Sequence, residues 1–266
     1  MLDLSVDGIK KTVLAVTIVQ ARILPLFMLL PVFSRNLVPR LGAFAASAAT
    51  GLLVVPTIPP SFVIDPATPL IFVVAKESFL GLVLGFVCAL PFWMVEGVGF
   101  IADNQRGASM AATINPLTGN DSSPTGLLLG IAFIAYFFAV GGMQLIFEIL
   151  YDSYRIWPVD SFWPKLDFDS ATLLFQQLNR LIAVMLILAS PVLLIMFLIE
   201  VGLALVSRFA PQLQVFFLAM PIKSAVGLLV LVVFAATLFD FGGQVLLEGK
   251  DWPYRLDRIF GGTATR

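Results

Sequence analysis

Ionisable residues inside or at the ends of long apolar runs are the first candidates for chemistry. They are Arg22, Lys76, Glu77, Glu96, Glu148, Glu200, Arg208, Lys223 and Asp240. Charges at membrane depth are costly, so they usually face a bundle interior, a cavity or a partner. Four are expected to lie at membrane depth and to pair with neighbouring subunits: Arg22, Glu96, Glu200 and Asp240. Two others, Lys76 and Arg208, are expected to reach the membrane interface from helix ends.

Enzymatic motifs are mostly absent. The chain has no His, which excludes a metalloprotease H-E-x-x-H motif and a Ser-His nucleophile pair. Asp240-Phe241-Gly242 spells the magnesium motif of kinases, but no phosphate loop or catalytic loop accompanies it. The single cysteine, Cys88, excludes an intrachain disulfide and is expected to be a small buried hydrophobe. We therefore expect no enzyme, no metal site and no cofactor.

The composition is that of an integral membrane protein. Of 266 residues, 59% are hydrophobic and 12% are charged, with a net charge of −1. Typical soluble domains have about 45–50% apolar and about 25% charged residues, so this chain lacks the polar residues needed to cover a soluble surface. The near-neutral charge gives no indication of nucleic-acid binding.

The apolar residues occur in long blocks, which favours helices over the short alternating strands of a barrel. About six spans are predicted, at 12–33, 41–56, 70–99, 127–151, 181–206 and 213–247. Pro91 and Pro221 are placed where they would kink or split the third and sixth spans. The first apolar segment is expected to be retained rather than cleaved as a signal. The chain is predicted to be a single membrane domain, 1–266, with polar stretches at 56–69, 102–126, 152–169 and a tail at 250–266.

Small residues recur at spacings that allow helices to approach closely in lipid. Gly81 with Gly85, and Gly126 with Gly130, each form a G-x-x-x-G pair, and Gly97 and Gly99 lie in the third span. These pairs predict tight helix packing without indicating which helices meet.

Two polar stretches differ in composition from an ordinary lipid-facing helix. The first, 105–124, combines turn formers with small residues, and it is either an exposed connecting loop or a re-entrant loop that lines a pore. The second, 207–224, has two prolines ten residues apart with glutamines between them, which favours a broken helix.

The second stretch carries a family resemblance. Its sequence, S-R-F-A-P-Q-L-Q-V-F-F-L-A-M-P-I-K-S, resembles the signature of the SpaR/YscT/HrcT/FliR family of export-gate subunits. The positions that carry it are Arg208, Pro211, Gln212, Gln214, Phe216, Pro221 and Lys223. Further likeness comes from Asn115-Pro116 and Ser123-Pro124, from Glu96 with Gly97 and Gly99, and from Pro25, Pro31, Arg35, Pro39 and Arg40. The sequence of this stretch is more similar to the injectisome branch of the family than to the flagellar one.

The resemblance implies a non-enzymatic core subunit of the export apparatus of a type III secretion system, in the bacterial inner membrane. In that family, one copy joins about five copies of one small subunit and about four of another in a helical complex. Unfolded secreted polypeptides pass through its centre, and a substrate-switch protein and a large export-gate ring contact it. The polar loop would form part of a plug, with Gly107, Ser109, Met110, Asn115, Pro116, Asp121 and Pro124 as its residues.

The competing interpretation is an independent secondary transporter or channel. It would use Glu96, Glu200 and Asp240 as coupling groups and would require inverted repeats with paired broken helices. Each half contains a helix interrupted by proline, but no sequence repeat is found.

Overall fold

The computed structural model describes residues 6–34, 38–55, 70–107, 123–159, 168–210 and 215–254, and these residues form helices without a strand. This confirms the all-α prediction. The seven α-helices are α1 (Val6–Leu29), α2 (Arg40–Val54), α3 (Leu70–Arg106), α4 (Pro124–Ala139), α5 (Gly142–Ile156), α6 (Phe168–Phe209) and α7 (Val215–Glu248). Short 3-10 helices at Pro31–Phe33 and Gly249–Asp251 follow α1 and α7.

Among the residues that the structure describes, four helical segments are long and apolar enough to cross a membrane: Thr12–Leu29, Leu70–Arg106, Phe175–Phe209 and Ala219–Tyr254. The count rises to five if α4 and α5 together form one broken span. Of the predicted apolar segments, α2 is too short to be counted among these, because its 15 residues cover only about 22 Å at 1.5 Å per residue. The bilayer core is about 30 Å thick.

The predicted span at 127–151 was wrong in being continuous. The break falls at Gly141, which has a φ of 76°, a left-handed conformation that glycine adopts readily. Gly142 follows it, and two successive glycines have low helix propensity. By contrast, Pro91 and Pro221 lie inside α3 and α7, so neither proline divides its helix.

The chain contains two compact units, which we describe separately. The first unit comprises Met1–Leu90, Gly141–Phe175 and Leu246–Arg266, and the second comprises Pro91–Val140 and Gln176–Val245. In the first unit, α1 contributes Ile18, Val19, Ile23 and Leu26, which are fully buried. In the second, the Phe92 ring of α3 meets Phe133 and Phe137 of α4 edge-on, at centroid distances of 5.2 and 5.1 Å.

Burial differs sharply among the long helices. In the most apolar stretch of α3, 72% of the residues are buried, whereas in the most apolar stretches of α6 and α7 only 22% are buried. The exposed side chains of α6 and α7 include large hydrophobics such as Ile187, Phe197, Val232 and Val233. Helices that are apolar on their exposed faces require lipid or another protein to cover them.

Candidate functional site

A buried charge cluster lies in the first unit and centres on Arg22. This side chain is fully buried in α1, and its Nε lies 2.6 Å from Oε2 of Glu77 in α3. Nη1 donates to Ser153 Oγ at 3.1 Å, and Nη2 donates to the Trp157 carbonyl at 2.9 Å. The guanidinium also lies over the Tyr154 ring, 4.0 Å from its centroid, in cation–π geometry.

Lys76 adds a second cation to the same carboxylate. Its Nζ lies 2.9 Å from Glu77 Oε1 and donates to the Val159 carbonyl at 3.1 Å. Two cations therefore share one carboxylate, which leaves an excess positive charge in a buried setting. The carbonyls that receive these donors follow the C-terminus of α5, where the helix dipole and its unpaired carbonyls favour positive charge.

This arrangement corrects two predictions about charged residues. Arg22 was expected to pair with a neighbouring subunit, but it is buried and pairs with Glu77 of its own chain. Lys76 was expected to extend to the interface, but only 5% of it is exposed. The physical reason is that α1, α3 and the end of α5 come together and supply acceptors to both cations.

Two glycines of α3 allow α1 to approach closely. A Cβ on Gly81 would overlap the backbone of Arg22, and a Cβ on Gly85 would lie 2.9 Å from Leu26 Cα. The first G-x-x-x-G pair therefore lies against α1, which confirms the prediction of tight packing and places the Arg22 side chain beside Glu77.

A second polar cluster lies in the second unit, where α3 ends and α4 begins; we call it the α3–α4 joint, formed by Asp103, Arg106, Ser123 and Thr125. Asp103 Oδ2 accepts from Ser123 Oγ at 2.6 Å and from the Thr125 backbone N–H at 2.9 Å. Arg106 pairs with Asp103 Oδ1 and donates to Thr125 Oγ1 at 2.9 Å. Asp103 is only 3% exposed, so its charge is satisfied entirely from within the joint.

Local sequence explains both sides of this joint. Ser123 is the N-cap of α4 and accepts from the Gly126 N–H at 2.9 Å, with Pro124 in the first turn, the position proline favours. On the other side, α3 is followed by Gly107, whose φ is 80°, typical of the residue after a helix C-terminus. Asp103 faces the positive N-terminus of α4, and Arg106 lies in the last turn of α3, so each charge complements a helix dipole.

The α3 and α4 backbones touch next to this joint. A Cβ on Gly99 would lie 2.6 Å from the backbone N and Cα of Gly126, and one on Gly126 would lie 2.9 Å from the Glu96 carbonyl. Gly126 of the second G-x-x-x-G pair therefore also allows close helix packing within this unit, whereas a Cβ on Gly130 would make only an ordinary contact, 3.8 Å from Glu96 Cβ.

An ion pair links α6 to α7 in the second unit. Lys223 Nζ lies 2.8 Å from Glu200 Oε1, with 11% of the lysine side chain and 52% of the glutamate side chain exposed. Gln105 of α3 donates to the other carboxylate oxygen at 3.4 Å. Glu200 and Glu96 are both exposed on this chain, and their pairing with neighbouring subunits stays a prediction.

Asp240 is also exposed on α7, and Tyr136 Oη donates to it at 3.5 Å. Within the part of the chain that the structure describes, no group of three or more His, Cys, Asp and Glu residues is arranged to hold a metal ion. The contacts described above pair charges and fix helix ends.

Several predicted site residues lie outside the described residues. For the plug these are Ser109, Met110, Asn115, Pro116 and Asp121, whereas Gly107 and Pro124 flank the segment. For the broken-helix motif they are Pro211, Gln212 and Gln214; Arg208 lies in the last turn of α6, and α7 contains Phe216, Pro221 and Lys223.

Sequence reasoning missed the roles of Asp103 and Glu77. The Ser123-Pro124 pair is a recognisable helix start, where the helix dipole favours a carboxylate. The pairing itself required the fold.

A sequence-family model described as Bacterial export proteins, family 1, matches residues 13–248, and the chain belongs to this family. It is 40% identical over 251 residues to Yop proteins translocation protein T of Yersinia pestis, covering 92% of this chain and 95% of that protein.

Other relatives extend the comparison across both branches. Surface presentation of antigens protein SpaR of Shigella flexneri is 36% identical over 168 residues, covering 63% of this chain and 64% of SpaR. Flagellar biosynthetic protein FliR of Bacillus subtilis is 28% identical over 228 residues, covering 85% and 87%. The resemblance inferred from the 207–224 motif is confirmed, and these injectisome-type relatives are more similar than this flagellar one.

Proposed function

We propose that this protein is a core subunit of the inner-membrane export apparatus of a bacterial type III secretion system, where it forms part of the channel for unfolded secreted proteins. The observation that carries the proposal is the family match over residues 13–248, with relatives named for translocation and flagellar biosynthesis. The four long apolar helices support a multi-pass protein of the inner membrane.

The exposed apolar faces of α6 and α7 support assembly with other membrane subunits. Asp240 of α7 and Glu96 of α3 are both exposed, and an exposed carboxylate in lipid is costly. We infer that both carboxylates, together with the exposed oxygen of Glu200, pair with basic or hydrogen-bonding groups of neighbouring subunits. About five copies of one small subunit and about four of another would surround the chain in a helical arrangement.

The segment 107–124 is proposed to form part of the plug of the resting channel. To test this, residues 109–121 are replaced by a short Gly-Ser linker, which preserves the N-cap Ser123 and the Gly107 that follows α3. We expect assembly to continue and the inner membrane to become permeable to small molecules. Unchanged permeability in an assembled complex would remove the plug assignment.

Native mass spectrometry of the detergent-extracted protein, co-expressed with candidate partner subunits, tests the function as a whole. A stable complex of several different subunits is the expected result. A homo-oligomer that transports a solute when reconstituted alone would contradict the proposal and would favour the independent transporter.

A further inference from the structure

The Asp103 carboxylate joins the last turn of α3 to the first turn of α4. It accepts from Ser123 Oγ, from the Thr125 N–H and from Arg106. A buried carboxylate with this many donors is strongly held, since hydrogen bonds to charged groups are roughly twice as strong as neutral ones. The helix end and the helix start that flank residues 108–122 are therefore fixed to each other by one side chain.

The orientation of Ser123 depends on the same carboxylate. Its hydroxyl donates to Asp103 while its oxygen accepts from the Gly126 N–H, so the cap of α4 and the joint share one atom. An amide at position 103 offers one acceptor oxygen and two N–H donors. It would place an N–H against a donor of the joint and leave a buried group unsatisfied.

Packing elsewhere in this unit does not depend on Asp103. Gly99 lies against Gly126, and Phe92 packs against Phe133 and Phe137 further along the same two helices. Loss of the carboxylate would therefore loosen the joint while α3 and α4 remain paired.

We propose that Asp103 is a positioning residue of the export channel: by fixing the first turn of α4 to the last turn of α3, it sets how leaky the resting channel is to small molecules. This inference rests on the proposed function. Arg106 and Ser123 act with Asp103 because they supply its charge partner and its shortest hydrogen bond other than the ion pair.

The test uses Asp103→Asn in the complete assembled complex, in cells that lack their own copy of this subunit. Three quantities are measured: the amount of assembled complex, secretion of a reporter protein, and uptake of a membrane-impermeant small molecule. We expect assembly near the wild-type amount and about tenfold greater uptake. Loss of a hydrogen bond to a charged group changes an equilibrium constant by about tenfold or more, so the loosened joint should be populated more often by that factor.

Asp251→Asn is the matched control, since Asp251 is an exposed carboxylate in the short 3-10 helix that follows α7 and has no part in the α3–α4 joint. It should leave uptake unchanged. The exchange Asp103→Ser with Ser123→Asp should restore low uptake, because aspartate is also a good N-cap and the serine hydroxyl can donate to it. A purely structural role would lower assembly without this selective change in uptake.

If Asp103→Asn assembles without increased uptake while the 109–121 replacement leaks, the role of Asp103 is overturned and the plug assignment stands. If neither leaks, both are overturned. If Asp103→Asn fails to assemble, Ser123→Ala removes the 2.6 Å hydrogen bond and keeps the ion pair; an assembled Ser123→Ala complex with wild-type uptake would overturn the proposal.

Discussion

At the scale of single residues, the central feature is the Glu77 carboxylate, which forms ion pairs with two cations. Glu77 is fully buried between Arg22 and Lys76, and Ser153 Oγ and the carbonyls of Trp157 and Val159 accept further hydrogen bonds from the two cations. The sequence predicts that such charges must find partners, because they lie in apolar runs. It does not predict which ones, since Arg22 and Glu77 are 55 positions apart and only the packing of α1 on α3 brings them together.

Replacing Glu77 with Gln should destabilise the first unit strongly, because it leaves Arg22 and Lys76 buried without a counter-charge. Breaking a buried ion pair in this way costs about 3–5 kcal/mol. The midpoint of thermal unfolding of the detergent-purified protein measures the loss. Arg155→Gln is the control, because that side chain is 81% exposed and lies 3.7 Å from Asp152, a geometry that contributes little. Equal midpoints for the two variants would contradict the account of the cluster.

At the scale of helices, glycine contacts determine how closely neighbours approach. The spacing of Gly81/Gly85 and Gly126/Gly130 indicated close packing, and the structure shows α1 on α3 at the first pair and α3 on α4 at Gly126. The sequence analysis missed the break between α4 and α5, because the apolar residues on both sides form one block. The adjacent glycines Gly141 and Gly142 were the available signal.

Gly99→Ala should weaken the contact of α3 with α4, because the new methyl group would meet the Gly126 backbone at 2.6 Å and backbone atoms yield poorly. Overpacking of this kind typically costs about 1–3 kcal/mol. Gly202→Ala is the matched control: nothing lies within 4 Å of its Cβ position, and alanine raises helix propensity by about 1 kcal/mol. Thermal unfolding of the purified variants should show a lower midpoint for the first and no decrease for the second; the reverse order would refute the close approach.

The α6–α7 ion pair predicts a rescue by charge exchange. Lys223→Glu places two carboxylates together at a position where the lysine is 9% exposed, so the amount of assembled complex should fall. Adding Glu200→Lys restores opposite charges and should recover most of it. Immunodetection of the complex on a native gel compares the two. A double variant as poor as the single one would show that this pairing does not hold α6 to α7.

At the scale of the whole molecule, the sequence predicts the class of protein well. The long apolar blocks are sufficient for an all-helical membrane protein, and the 207–224 motif identifies the family that the comparison confirms. The division into two units was not predictable, because each unit is assembled from segments far apart in the sequence. What covers the exposed faces of α6 and α7 was not predictable either, because composition does not distinguish lipid-facing from partner-facing apolar residues.

Crosslinking to a trapped substrate tests the central claim most directly. A secreted protein is stalled during export by a folded domain at its C-terminus, and a photo-crosslinking amino acid replaces Asn115 in the assembled apparatus. Val233, which is 77% exposed, provides a control position on the apolar face of α7. We predict that the stalled polypeptide crosslinks to position 115 and not to position 233. Absence of a crosslink from position 115, with the substrate demonstrably stalled, would contradict the assignment of this chain to the export channel.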